Sequence, residues 1–131
     1  MAAGWNPAFV NTVLDSVFSA AAFTPPAASY VQLHTGDPGP NGTSNISSFA
    51  TRIVLAWASA SGGTKVISAP VVITASWAGT SPETITHISL WSAVTGGTFI
   101  ISDQLVASVV VVTGNPVNLP SLTAPWTPLA A

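Results

Sequence analysis

Apolar residues along this chain first follow a helical period and then switch to alternation. Val10, Val13, Leu14, Val17 and Phe18 recur at the spacing that puts one apolar stripe on a helix. Asn6 suits an N-cap, and Pro7 suits the first helical position, where a missing N–H costs nothing. The pattern predicts a helix over about 7–21, stopped before Thr24-Pro25-Pro26. A helix of about four turns is unstable alone in water, so this one is expected to pack on its own domain or on a partner. From Ser29 onward the period is two. Tyr30, Gln32 and His34 share one face of a strand, with Val31 and Leu33 on the other.

Further strands are expected at 49–58, with Ile53, Leu55 and Trp57 on one face, and at 65–68 and 71–77. The 84–91 segment places Ile85, His87, Ser89 and Trp91 on one side and Thr86, Ile88 and Leu90 on the other. Thr95-Gly96-Gly97 reads as a hairpin turn, followed by strands at 98–102, 105–112, 117–119 and 121–126. About eight or nine short strands at regular spacing, with one helix, predict a mainly β fold. The expected architecture is an antiparallel β-sandwich, jelly-roll-like, with one N-terminal α-helix. It occupies residues 1–131 as a single domain, the β part spanning about 29–127. No repeat of fibre-shaft type and no heptad seam is present in the sequence.

Composition adds one anomaly. Charged residues make up 5% of the 131 residues, against about a quarter in an ordinary soluble domain. Low charge with high apolar content protects poorly against association, so a subunit covered by neighbours, a homo-oligomer, is expected. The 2 basic residues, Arg52 and Lys65, are too few to hold nucleic acid, so no nucleic-acid partner is expected; each is expected to pair with an acid or face solvent. Apolar runs such as Val109–Val112 fall far below the roughly 20 residues of a membrane span, so no membrane partner is expected. No basic region precedes an apolar stretch near residue 1, so no secretory signal is expected. With 0 Cys there is no disulfide framework and no thiolate chemistry.

Candidate chemistry concentrates in Tyr30 to Gly42, Y-V-Q-L-H-T-G-D-P-G-P-N-G, where a strand runs into a turn of His34, Asp37, Pro38 and Gly39. A metal site there would need further ligands, which His87 and Glu83 could supply if their strand lay alongside. The simpler reading is architectural: Asp37 before Pro38-Gly39 is a turn residue whose carboxylate accepts backbone N–H bonds, and His34 is a strand-end hydrogen-bonding group. On that reading the loop to Ser48 is presented outward. No nucleophile motif and no nearby carboxylate pair supports catalysis, so no enzyme, no cofactor and no metal is expected. Of the 5 Trp, Trp57, Trp77 and Trp91 sit at strand positions among apolar neighbours and read as core. Trp5 and Trp126 lie near the termini and read as candidate interaction residues. A glycan platform built on Trp rings is the competing use.

The segments V-L-D-S-V-F, A-F-T-P-P-A and Y-V-Q-L-H-T-G-D-P-G-P-N-G-T-S-N resemble a family of small virion structural proteins of tailed, actinobacterial-type bacteriophages that carry an L-H-T-x-D-P-G motif. Thr86 to Ile100 and Asn115 to Thr123 look like the family's later blocks. Many members have an acid and a Gly-Tyr-Ala-Arg run after the loop. Here Phe49 and Arg52 hold the aromatic and basic places and the acid is missing. The resemblance implies a virion location and docking on major capsid or tail subunits. Capsid decoration is the favoured expectation, with minor tail protein, tail-fibre-type protein and glycan-binding host-recognition module as alternatives.

Overall fold

The computed structural model describes residues 3–73, 77, 79–119 and 122–125. Its elements are α1 (Pro7–Ser19) and eight strands: β1 (Ser29–His34), β2 (Ile53–Leu55), β3 (Thr64–Val66), β4 (Val71–Ile73), β5 (Glu83–Trp91), β6 (Phe99–Val111), β7 (Val117–Leu119) and β8 (Thr123–Pro125). The fold is mainly β, with one helix and antiparallel sheets. A four-stranded sheet runs in the order β2-β1-β5-β6, and the pairs β3-β8 and β4-β7 form two small sheets. Val31, Leu33, Leu55, Ile88 and Leu90 from the large sheet join Ile67, Val71, Trp77, Val117, Leu119 and Leu122 in one apolar core. The arrangement is sandwich-like, as alternation predicts.

α1 starts where the sequence placed it. The Asn6 side chain accepts the Ala8 N–H at 3.0 Å, and Pro7 fills the first helical position. The helix stops at Ser19, earlier than expected. Ala20 turns left-handed at φ 53°, and the Ala21 N–H reaches back to the Asp15 carbonyl at 3.2 Å. The chain ahead of the helix is also pinned. Trp5 bridges Ile101 in antiparallel register, the Asn6 N–H donates to the Ile100 carbonyl at 2.8 Å, and the Ser102 N–H donates to Gly4 at 2.9 Å. Residues 4–6 thereby add to the outer edge of β6.

β1 and β5 carry the molecule's centre. Five register pairs join them, from Tyr30↔Trp91 to His34↔His87, so the 84–91 segment does lie beside β1. The strand expected at 49–58 contracts to β2, with Trp57 held separately by a bridge to Ile67. The two strands expected at 98–102 and 105–112 are one long strand, β6, with two irregularities. Near its start, Leu90 faces Ile101 while Trp91 faces Phe99, which brings both Ile100 and Ile101 into the core. Further on, His87 pairs with Gln104 but Ile85 pairs with Val109, leaving Leu105 to Ser108 opposite Thr86 alone. Ile85 has the same parity as His87 yet belongs to the apolar core, and this break in pairing separates the two.

Candidate functional site

Gln32 and His34 on β1, with Ser89 and Trp91 on β5, form a polar row on the face of the large sheet opposite Val31 and Leu33. All four are buried, His34 completely. His34 Nδ1 lies 2.8 Å from the Ser44 carbonyl oxygen, an atom that only accepts, so Nδ1 carries the proton. Nε2 is then the acceptor, and the Ser89 hydroxyl donates to it across 2.7 Å. Trp91 Nε1–H donates in turn to Ser89 Oγ at 2.8 Å. Burial holds the His34 pKa below the ordinary 6.5, and the nearby His87 and Arg52 push the same way, against the opposing pull of the Ser44 bond. The imidazole is a neutral structural link with both nitrogens occupied.

Arg52 closes the row. Its guanidinium sits 3.8 Å from the centroid of the Trp91 ring, a cation–π contact. Nε donates to Gln32 Oε1 at 3.0 Å, and Nη1 donates to the carbonyls of Ala93 and Gly96 at 2.9 and 2.6 Å. Gln32 Nε2 donates to the Ala50 carbonyl at 2.9 Å. Lys65 Nζ likewise donates to a carbonyl, that of Ala58, at 2.7 Å. Among the described residues neither cation pairs with an acid: both are partly exposed and bond neutral oxygens of their own chain. The planar guanidinium of Arg52 satisfies the Gln32 amide oxygen and two turn carbonyls at once.

The loop after β1 is packed rather than held away from the body. Asp37 Oδ1 accepts the Gly39 N–H at 2.8 Å, as the turn reading predicts, and this bond keeps its carboxyl below the usual range. Pro38, Gly42 and Ser47 are buried. Gly42 has φ +70°, and a Cβ there would sit 2.7 Å from the Phe99 ring, so glycine is required twice over. The Thr35 N–H bonds Asn45, the Ser47 N–H bonds Leu33, and Ile46 bridges His34, folding the loop back along the strand. The outward presentation expected for the 36–48 loop holds only for residues 40–41, 43–46 and 48.

Glu83 serves the same loop. Its carboxylate accepts Ser47 Oγ at 2.7 Å, the Ser48 N–H at 3.0 Å and Ser48 Oγ at 3.0 Å. Burial would raise its pKa, but these three bonds outweigh that and lower it. His87 faces His34 in register and its Nδ1 lies 2.8 Å from Thr86 Oγ1. Register thus brings His34 and His87 together, while Glu83 is spent on the serines. Among the described residues no group of three metal-ligating side chains forms, and no buried side-chain polar atom lacks a partner.

Trp5, the first candidate interaction residue, is half-buried and stacks on Phe9 with centroids 6.3 Å apart; Phe9 meets Phe23 edge-on at 6.0 Å. Trp126, the second, lies outside the described residues. Trp77 and Trp91 are buried and Trp57 is half-buried, as core packing requires. What the sequence reading did not separate is the far side of α1. Leu14, Val17 and Phe18 stand 39%, 68% and 80% exposed. The signal was available: the apolar stripe of α1 is wider than one neighbour covers.

A family model described as podophage GP4 fiber I protein gp80 matches residues 5–124. The chain belongs to that family. No curated protein matches it. As a gp80 fibre-family member it is a virion-associated structural protein of a bacteriophage. The matched span begins at Trp5, so α1 and the His34 row fall within the gp80 unit, as does the edge segment apart from Gly4.

Proposed function

We propose that this chain is a non-enzymatic, fibre-type structural module of a podophage tail, working by adhesion to other tail subunits and to copies of itself. The observation that carries this reading is the family match over 5–124. The geometry agrees with it. The polar cluster with the most chemistry is buried and internally saturated, a frame for a loop and a hairpin and not a reaction centre. Apolar surface is left at the outside of α1 and on β6, where Val106 and Val110 are exposed. Burying such surface stabilises contacts by about 25 cal/mol per Å².

The test is to label purified virions with antibody against the chain and to count copies per particle by mass spectrometry. Label confined to the tail, with a small copy number, is expected. Label spread over the head with hundreds of copies would overturn the tail placement in favour of capsid decoration, the reading that low charge and a compact β body favour. Trp fluorescence quenched by a soluble glycan would instead favour host recognition.

A further inference from the structure

At 100° per residue, the apolar side chains of α1 follow one another round the axis in the order Phe9, Val13, Val17, Val10, Leu14, Phe18 and span an arc of about 180°. A helix that packs on one neighbour needs a stripe little wider than about 100°. The body takes one half of the arc, through Phe9, which stacks on Trp5 and meets Phe23 edge-on, and Val13 is half-buried beside it. In the other half Leu14 is 39%, Val17 68% and Phe18 80% exposed, with Val10 half-buried between them, and these four carry no charge. Asp15, the one ionisable residue on the helix, sits about 100° round from Leu14.

We propose that this open half of α1 packs against the same face of α1 in a second copy of the chain. Two observations select that occupant. A charged partner finds nothing to pair with on Leu14, Val17 and Phe18, whereas a second copy brings an equally neutral and equally long apolar stripe. With only 6 charged residues in the chain, self-association meets little like-charge repulsion, and Arg52 and Lys65 are engaged within the body. Area then sets the strength. Three side chains supply on the order of a few hundred Å², short of the roughly 800 Å² per partner of a stable free dimer. The contact is therefore weak between free copies and strong where copies are held side by side, as in a fibre. It deepens the self-association proposed above and holds whether the chain sits on tail or head.

The chain has 0 Cys, so single cysteines report the contact cleanly. In a two-fold pairing of these faces each residue near the centre meets its own counterpart. Leu14→Cys and Phe18→Cys are expected to form disulfide-linked dimers under mild oxidation faster than Ser19→Cys, an exposed position about 100° round from Phe18, by tenfold or more. Equal rates at all three positions would overturn the proposal, as would oxidation to monomeric products only. In sedimentation, concentration-dependent association of the parent is expected to disappear in the Val17→Ser/Phe18→Ser variant with unchanged circular dichroism. Association that persists in that variant would overturn it even if tail labelling succeeds, and loss of association would uphold it even if tail labelling fails.

Discussion

The His34 row and the outer face of α1 are opposites within one small molecule. The row is polar yet buried, and its imidazole, hydroxyl, indole and guanidinium are joined to one another or to carbonyls. The helix face is apolar yet exposed. Each inverts the usual relation of polarity to burial, for different reasons. A buried polar group is tolerated when every donor and acceptor is matched, and it then fixes a unique arrangement. An exposed apolar face gains nothing within its own chain and has value only when something else covers it. Chemistry-bearing residues thus lie where this protein is internally saturated, and inert residues lie on the surface proposed above for assembly.

Substitutions that empty the row should cost most. His34→Ala opens a cavity and strips the partners of Ser44 and Ser89, so a loss of about 3–5 kcal/mol is expected in urea unfolding. A loss below about 1 kcal/mol would mean the row is not a stability element. Next comes Gly42→Ala, expected to cost about 2–3 kcal/mol from the Phe99 contact and the left-handed backbone. Combining it with Phe99→Ala should give less than the sum of the single losses; full additivity would contradict the close approach. Arg52→Lys keeps the charge but loses the fork that joins Gln32 to Ala93 and Gly96, and about 1–2 kcal/mol is expected. Amide exchange in the 92–98 hairpin should quicken with it, and unaltered protection there would argue against the tie.

Acid should act first on the row and then on the loop. The His34 pKa is lowered in the folded state, so the unfolded chain binds the proton more readily, and stability is lost as pH falls from 6.5 toward the folded value. The Glu83 pKa is also lowered, so its contribution is present above 4.5 and is lost as pH falls further, through its folded value. Melting temperature against pH should show the upper step in the parent and not in His34→Gln, and a step surviving in that variant would assign it elsewhere. The smallest effect is expected at the helix. Val17→Ser and Phe18→Ser should each change monomer stability by less than about 0.5 kcal/mol, because both side chains already face water. A larger loss would place them in the intramolecular core.

Local signals in the sequence located what local physics decides. Asn6-Pro7 set the start of α1, alternation set β1 and β5, and Asp37-Pro38-Gly39 set the turn. What escaped depends on partners distant in the chain. β6 continues through 99–111 because β5 pairs with both of its ends, 99–104 and 109–111, across the polar Ser102-Asp103-Gln104 stretch that reads as a break. β2 is short because only Ser29 to Val31 face it. Arg52 finds Ala93 and Gly96 some forty residues away, and Glu83 finds Ser47 and Ser48. No spacing rule in a single sequence encodes those meetings. At α1, apolar periodicity identified the stripe, but it could not divide the stripe between the body and the outside.

The ladder that joins Gly4 and Asn6 to the rim of β6 also governs how the molecule yields to tension. A pull along α1 away from the body reaches the large sheet in part through two backbone hydrogen bonds and the Asn6 side chain on Phe99. The seam between β1 and β5 holds five register pairs inside the sheet. Under such a pull the rim is expected to peel before the centre tears, with the His34 row still shut.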